Sequence, residues 1–153
     1  MSHIHRYAAE CHWQGSTGAG YEAYDRSHTA GATPSSAVLG LSSDPAFRGR
    51  SEQLNPEQLL VIAASSCQLL SFLAVSARAG LDVRRYEDHA EAVMPEDDRP
   101  VRITSIVLRP HITVATGPSE GEIHRLIEKA HRECYIANSL RTEIKVEADI
   151  TFV

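Results

Sequence analysis

The sequence has few cysteines and lacks the patterns that mark several classes of protein. Its three cysteines, Cys11, Cys67 and Cys134, are too few and too scattered for the disulfide framework of a small secreted protein. The first fifteen residues contain no apolar core of the length that a signal peptide requires, so we expect a cytoplasmic location. The net charge is -5, and no basic cluster or alternation of basic and aromatic residues occurs. Nucleic-acid binding is therefore not expected.

The composition is that of a globular protein. A chain of 153 residues with 42% hydrophobic residues and mixed charges can bury a core but has little room for a second one. We expect a single domain over residues 1–153. Residues 3–13 and 21–29 alternate between polar and apolar side chains around a Gly-rich turn and predict a β-hairpin. A loop with one short strand near residues 37–40 follows.

A helix start is encoded at residue 55. Asn55 is a favourable N-cap, Pro56 suits the first helical position, Glu57 complements the helix dipole and Gln58 occupies the capping-box position. The helix should run to about residue 78 and stop at Gly80, a residue that tolerates the left-handed conformation.

The second half of the chain predicts strands that flank a second helix. Residues 83–94 and 101–116 are rich in β-branched residues and predict another hairpin, and residues 143–153 predict a final strand. Ser119 and Glu122 form a second capping-box pattern, and the apolar positions after it, with Cys134 among them, recur at helical spacing. The order strands, helix, strands, helix, strand predicts an α+β domain.

The first helix is apolar over almost its whole length, which raises the question of a membrane span. Polar groups at residues 65–68 and at Ser71 argue against one, because lipid disfavours them most at the centre of a span. The alternative is a helix buried on all sides, which a small domain achieves only with difficulty unless a second chain covers it. We therefore expect an obligate homodimer.

The thiols of Cys67 and Cys134 are candidates for redox chemistry. A lone cysteine in an apolar helix is usually a small buried hydrophobe, but Cys67 has polar neighbours and a second core-facing cysteine lies in the other helix. Thiol chemistry requires a thiolate, so a positive side chain is needed nearby. Arg26 is the strongest candidate. Arg78 and Arg132 fit solvated helix positions, and Cys11 fits a structural role.

Several motifs resemble the OsmC/Ohr family, named after osmotically induced protein C and the organic hydroperoxide resistance protein. They are NPEQLL, ASSCQLLSFLA and AGLDV from residue 55 to 83, and KAHRECYIANSL at residues 129–140. GLSSDPAFRG at residues 40–49 and RITSIVLRPHITV at residues 102–114 extend the resemblance over most of the chain. The sequences of these motifs resemble the OsmC-like branch more than the Ohr branch.

The resemblance implies an intertwined homodimer with antiparallel sheets, two main helices and sites at the subunit interface. It implies that Cys67 is the peroxidatic cysteine, Cys134 the resolving cysteine, Glu57 the acid of the N-P-E motif and Arg26 the activating arginine. One departure is Tyr135, which stands where proline commonly follows the second cysteine. No cofactor or metal is implied.

The implied activity is a thiol-dependent peroxidase that converts organic hydroperoxides to alcohols. Cys67 would become a sulfenic acid, Cys134 would form a disulfide with it, and an external dithiol of the lipoyl type would reduce the disulfide. Apolar surroundings favour organic hydroperoxides over hydrogen peroxide. Glu57 and Cys67 are ten residues apart, roughly 15 Å along one helix, so Glu57 should act at the partner's site unless it only complements the helix dipole.

Two alternatives remain at this point. Eight histidines, with His131 three residues before Cys134, allow a metal site, although no C-x-x-C or H-x-x-x-H cluster occurs. A non-enzymatic protein of the same fold could instead bind a small apolar or acidic ligand at the dimer interface.

Overall fold

The computed structural model describes residues 3–153 and divides into two compact units, one up to Leu59 and one over Leu60–Val153. The number of domains stays a prediction.

The first unit contains a small antiparallel sheet. Its strands are β1 (Glu10–His12), β2 (His28–Gly31) and β3 (Val38–Leu41), in the order β1-β2-β3. The predicted hairpin is confirmed, because Cys11 pairs with Ala30, but the paired segments are shorter than the alternation suggested. The predicted short strand is also present, as β3. A 3-10 turn over Pro45–Phe47 follows it.

Helix α1 (Pro56–Arg78) begins with the predicted capping box. The Gln58 backbone N–H donates to Asn55 Oδ1 over 2.8 Å, and the Asn55 N–H donates to Gln58 Oε1 over 3.0 Å. These bonds satisfy donors that the first turn of a helix leaves free. Gly80 has a φ of +73°, which a residue without Cβ adopts at little cost, so the predicted stop is confirmed as well.

The second unit contains two three-stranded sheets. Their strands are β4 (Val83–Asp88), β5 (Glu91–Val93), β6 (Ser105–Leu108), β7 (Pro110–Val114), β8 (Glu143–Val146) and β9 (Asp149–Phe152), ordered β4-β7-β9 and β5-β6-β8. The predicted hairpin is present as the antiparallel pairs β4-β7 and β5-β6. The predicted final strand forms both β8 and β9, which pair parallel to β6 and β7, so the sheets are mixed rather than antiparallel throughout.

Each of the two long predicted strands is divided into two shorter strands. The first is interrupted between β4 and β5, and the second between β6 and β7. Pro110 has no N–H to donate at this point. The Asp88 carboxylate accepts the Arg109 backbone N–H over 2.7 Å and the Ser65 hydroxyl over 2.5 Å. Asp88 therefore satisfies backbone and side-chain donors where the strands change sheet.

Helix α2 (Glu120–Glu133) has the predicted capping box between Ser119 and Glu122. The position of Cys134 differs from the prediction, since it lies beyond the end of α2 rather than on its apolar face. Its backbone is extended, with φ -70° and ψ 113°, and it is the N-cap of a short helix α3 (Tyr135–Ser139). Its N–H bonds to the His131 carbonyl, which closes the last turn of α2.

The core of the second unit forms where α1, α2 and the sheets meet. It comprises two clusters of buried side chains, Phe72, Val75, Ile112, Val114, Ile123, Ile127 and Ala130 in one and Ala64, Ile103, Ile106 and Leu108 in the other. With two main helices and small sheets, the predicted α+β class is confirmed.

Helix α1 is not buried on all sides within one chain. Ile62, Leu70 and Leu73 are 50%, 63% and 39% exposed, and they lie on the side of the helix opposite the core. Within residues 3–153, α1 is the one helix whose length and composition alone would also fit a membrane span. We call the side with Ile62, Leu70 and Leu73 the open face of α1.

Candidate functional site

The structure brings the thiols of Cys67 and Cys134 together. Cys67 lies in the middle of α1 and Cys134 lies at the α2–α3 junction, and the two thiols are near enough for Cys67 to raise the pKa of Cys134. Both cysteines are free thiols. They differ in access, because Cys134 is 1% exposed whereas Cys67 is only partly buried. This asymmetry lets a small molecule reach Cys67 first.

The Cys134 thiol has a raised pKa. Burial raises the pKa of this thiol to about 11, because a thiolate loses its hydration in an apolar site. The backbone N–H groups of Ala137 and Ile136, in the first turn of α3, act in the opposite direction and lower the pKa, while Cys67 raises it further. Cys134 is therefore suited to react in a second step, after Cys67 has been oxidised.

Cys67 opens onto a cavity of about 220 Å³. The cavity is lined by Cys67, Leu70, Ser71, Ala74, Arg78, Glu133 and Tyr135. Five of these residues follow one stripe of α1, with spacings of three and four residues. Arg78, at the far end, faces Glu133 at 4.0 Å and is largely exposed. Arg78, which was predicted to lie in solvent, also lines this cavity, and its spacing of eleven residues from Cys67 places both on one side of α1.

Tyr135 occupies the first position of α3, directly after the N-cap Cys134. Proline is favoured at this position because the N–H of the first helical residue has no partner within the helix. A tyrosine here therefore breaks no helical hydrogen bond, and α3 forms without the usual proline. The Tyr135 ring is 82% exposed and lines the Cys67 cavity.

Arg26 lies in the first unit and is unusually buried for a charged residue, with 9% exposure. Its guanidinium donates to the Tyr24 carbonyl over 2.9 Å and to the Tyr21 carbonyl over 2.7 Å. It also lies over the rings of Tyr24 and Tyr21, 3.9 Å and 4.7 Å from their centroids. Among the described residues, no carboxylate forms an ion pair with Arg26.

Arg26 lines a second cavity, of about 320 Å³, which is formed by residues of the first unit. Trp13, Tyr24 and His28 contribute to its walls. A cationic group that is fixed by carbonyls and rings, with no acidic partner, is available to an anion that enters this cavity.

Glu57 lies in the first turn of α1, where a negative charge favours the helix. Arg26 and Glu57 belong to the first unit and the two thiols to the second. The combination of all four residues in one site therefore stays a prediction.

The remaining candidate residues are placed as follows. Cys11 lies on β1 and is exposed, and Arg132 is exposed on α2. The Nδ1 atom of His131 is buried and has no hydrogen-bond partner in the described part of the chain. Over residues 3–153 no group of three or more His, Cys, Asp or Glu side chains is arranged to hold a metal ion.

A sequence profile of the family described as OsmC-like protein matches residues 49–149, which include both thiols and both main helices. The chain belongs to the OsmC-like protein family. Its curated relatives include the uncharacterized protein YmaD of Bacillus subtilis, which is 23% identical over 118 residues, or 74% of this chain and 79% of YmaD.

Solved structures share the OsmC-like fold along almost the whole chain. An OsmC-like protein of unknown function from Vibrio cholerae is 25% identical and has a TM-score of 0.87, over 95% of this chain and 100% of the other. An organic hydroperoxide resistance protein from Elizabethkingia anophelis is 19% identical, with a TM-score of 0.73 and full coverage of both chains. A further structure from Vibrio cholerae, of a putative organic hydroperoxide resistance protein with captopril in one active site, is 22% identical with a TM-score of 0.70 and covers 98% of this chain and 94% of its own. These likenesses show that the chain has the OsmC-like fold.

Proposed function

We propose that this OsmC-like protein is a cytoplasmic, thiol-dependent peroxidase that reduces organic hydroperoxides to alcohols. The observation that carries the proposal is the pair of neighbouring thiols of unequal access, with Cys67 facing a cavity and Cys134 buried. The names of the structural relatives from Elizabethkingia anophelis and Vibrio cholerae support this class of substrate.

In the first step the Cys67 thiolate attacks the terminal oxygen of the hydroperoxide. The O–O bond breaks, a sulfenic acid forms on Cys67, and the departing alkoxide takes up a proton to become the alcohol. Arg26 would stabilise both the thiolate and the charge on the departing oxygen, with Glu57 orienting its guanidinium. The guanidinium of Arg26 can serve this role because no carboxylate among the described residues already pairs with it.

In the second step Cys134 attacks the sulfur of the Cys67 sulfenic acid. An S–S bond forms and the S–O bond breaks, and the oxygen leaves as water with the proton that Cys134 gives up. The proximity of the two thiols supports this step, since Cys67 is among the groups that raise the pKa of Cys134. An external dithiol of the lipoyl type then reduces the disulfide and becomes oxidised itself.

The walls of the Cys67 cavity favour substrates with an apolar tail. Leu70, Ala74 and the Tyr135 ring offer apolar surface next to the thiol. Burial of each methylene group contributes about 0.8 kcal/mol, so an alkyl hydroperoxide gains binding energy that hydrogen peroxide cannot.

The open face of α1 supports a homodimer as the functional state. Ile62, Leu70 and Leu73 form an apolar stripe on the helix that carries Cys67, and a second copy of the chain would remove this stripe from water. Because Glu57 and Cys67 lie ten residues apart on α1, an association of two copies would also let Glu57 act at the partner's thiol.

Sedimentation of the Leu70→Glu variant tests the dimer, with Leu70→Met as the matched apolar control. We expect Leu70→Glu to sediment as a monomer and Leu70→Met to sediment like the wild type. A wild-type protein that is a folded monomer at low micromolar concentration would contradict this part of the proposal.

Consumption of tert-butyl hydroperoxide in the presence of dihydrolipoamide tests the peroxidase activity. We expect Cys67→Ser to abolish consumption, and Cys134→Ser to consume one equivalent and to stop as a sulfenic acid that a dimedone-type reagent traps. Cys11→Ser is the matched control, because Cys11 is exposed on β1 and should not alter turnover. Unchanged consumption in the Cys67→Ser protein would refute the proposed function.

A second candidate function is the binding of a small acidic ligand without turnover. It is favoured by the cavity of about 320 Å³ in which Arg26 lies among aromatic side chains. Under this alternative an aromatic carboxylate such as benzoate binds the wild type but not Arg26→Gln, and no hydroperoxide is consumed. The turnover assay distinguishes the two functions.

A further inference from the structure

Tyr24 contacts the guanidinium of Arg26 in two ways. Its ring lies against the guanidinium, with 3.9 Å between the ring centroid and the Arg26 Cζ atom, and its backbone carbonyl accepts a hydrogen bond from Arg26 Nη1 over 2.9 Å. Tyr21 adds a carbonyl at 2.7 Å and a more distant ring, at 4.7 Å. These contacts replace much of the water that would otherwise surround the buried charge, so they strengthen the attraction between ring and cation.

Trp13 supports the Tyr24 ring from its side. The two rings meet edge to face, at 89°, with their centroids 6.4 Å apart. The Trp13 indole N–H donates to the Asp25 carbonyl over 2.7 Å, which attaches the indole to the residue between Tyr24 and Arg26. The Tyr24 ring is therefore held between the indole and the guanidinium, and Trp13, Tyr24 and Arg26 together line the cavity of about 320 Å³.

The two carboxylates that lie closest to Arg26 in the sequence are engaged by other arginines. Glu22 forms an ion pair with Arg48 at 2.7 Å, and Asp25 forms one with Arg50 at 3.3 Å. Arg26 is instead oriented by carbonyls and rings, which are uncharged. A carboxylate would compete with an incoming anion for the N–H groups at the edge of the planar guanidinium, whereas a ring contacts its face.

We propose that Tyr24 is a positioning residue, whose ring fixes the Arg26 guanidinium beside the cavity so that its N–H groups can bind an anion there. The part of Tyr24 in turnover rests on the proposed peroxidase function, in which Arg26 stabilises the Cys67 thiolate and the departing oxygen. Tyr24 itself forms no bond to the hydroperoxide and transfers no proton. It acts by reducing the freedom that the guanidinium would otherwise lose when the anion binds.

The first measurement needs no hydroperoxide and compares an anion with an uncharged analogue of similar size. The ratio of the affinities for benzoate and benzamide reports the contribution of the guanidinium charge. Trp13 is the only tryptophan of the chain and lines the cavity, so its fluorescence can follow both titrations. We expect the wild type to prefer benzoate and Tyr24→Leu to lose about tenfold of this preference, as the loss of a desolvated cation–π contact implies.

Three variants control this measurement. Tyr24→Phe keeps the ring and should keep the preference for benzoate. Tyr7→Leu makes the same exchange as Tyr24→Leu at a tyrosine that is 91% exposed, and it should not alter the ratio. Pentafluorophenylalanine at position 24 keeps the shape of the ring but reverses the charge distribution on its face, so it should lower the ratio even if Tyr24→Leu fails to fold.

The second measurement follows the formation of the Cys67 sulfenic acid after one equivalent of tert-butyl hydroperoxide, with a dimedone-type reagent as the trap. We expect this step to be about tenfold slower in Tyr24→Leu and in the fluorinated variant, because the guanidinium is no longer held for the charge that it stabilises. Tyr7→Leu should form the sulfenic acid at the wild-type rate.

The outcomes separate the two proposals. A wild type that does not prefer benzoate, or a ratio that is equal in the wild type, Tyr24→Leu and the fluorinated variant, overturns the role of Tyr24 whatever the rate of turnover. An equal loss of affinity for both ligands in Tyr24→Leu, with the fluorinated variant matching Tyr24→Phe, identifies a merely structural ring and overturns it as well. If the wild type forms no sulfenic acid, the proposed function fails, and a lowered ratio still supports the positioning of Arg26 by Tyr24.

Discussion

The buried position of Cys134 predicts a steep pH dependence for disulfide formation. Burial, the largest cause, raises the pKa of this thiol to about 11, whereas a free thiol ionises near pH 8.5. At pH 7 about one Cys134 in ten thousand is therefore a thiolate. Because the thiolate is the attacking species, the rate of the resolving step should increase about tenfold per pH unit from pH 7 to pH 10.

Oxidation of Cys67 should change this dependence only in part. Cys67 raises the Cys134 pKa, but its influence ranks below burial and below the amide of Ala137. A sulfenic acid at Cys67 alters this smaller contribution and leaves Cys134 buried. The tenfold increase of the resolving rate per pH unit should therefore also be found in the intermediate with oxidised Cys67, which is the species that reacts.

A stopped-flow measurement can check this slope. The Cys11→Ser protein, which retains only the two thiols of the site, is mixed with one equivalent of tert-butyl hydroperoxide between pH 6 and pH 10. Samples are quenched with a dimedone-type reagent, and sulfenic acid and disulfide are counted by mass spectrometry. A resolving rate that levels off near pH 8.5 would show that Cys134 ionises like a solvated thiol and would refute the reasoning from burial.

Three further predictions concern stability and use urea unfolding. Asn55→Ala should lower the free energy of unfolding by about 1 kcal/mol, because it removes the side-chain acceptor of the α1 capping box; no loss would mean that the box is not formed in solution. Gln68→Leu should leave stability unchanged or raise it, since Gln68 Oε1 is buried and has no hydrogen-bond partner among residues 3–153. Ile123→Ala, at a fully buried site, should lower the free energy of unfolding by about 2–5 kcal/mol, and the reverse order of the two effects would contradict the described core. The Cys134 pKa is raised on folding, so stability should be intact below pH 8.5, where a free thiol begins to ionise, and should fall towards pH 11 by at most about 3 kcal/mol. An equal fall in Cys134→Ala would exclude this thiol as the cause.

The two main helices could be predicted from the sequence because their ends are set by local hydrogen bonds. Asn55 with Gln58 and Ser119 with Glu122 make the same reciprocal contacts in the structure that their spacing predicts. Gly80 ends α1 for an equally local reason, its positive φ. Signals of this kind depend on a few neighbouring residues, so tertiary packing has little opportunity to override them.

The strands and the end of α2 depend on distant contacts and were predicted less well. Pro110, inside the second predicted strand, was a warning that the ladder would be interrupted there. The parallel pairing of β8 and β9 is a property of the topology, which the alternation of a single strand does not contain. The sequence around Cys134 contains no helix-breaking residue, so local signals could not predict the junction between α2 and α3.

The candidate site was predicted to a similar extent. The motifs around Cys67 and Cys134 predicted the thiol pair, and in the structure the two thiols are near enough for Cys67 to raise the Cys134 pKa. Tyr135 and Arg78 were missed as cavity residues. Helix α2 ends at Glu133 and α3 begins at Tyr135, so the chain changes direction at Cys134. This change of direction brings Tyr135 to the cavity beside α1.

The polar residues within the apolar helix α1 have different roles according to the side of the helix on which they lie. Cys67 and Ser71 line the cavity, Gln68 is buried against α2 beside the core residue Phe72, and Leu70 lies at the edge of the cavity and on the open face. Substitutions should therefore separate chemistry, stability and association. Since Leu70 serves both the cavity and the open face, Leu70→Met should retain turnover by preserving an apolar surface, whereas Leu70→Glu should lose it. If a monomeric Leu70→Glu protein turned over hydroperoxide at the wild-type rate, one chain would suffice for the chemistry, and the role proposed for Glu57 at the partner's thiol would be wrong.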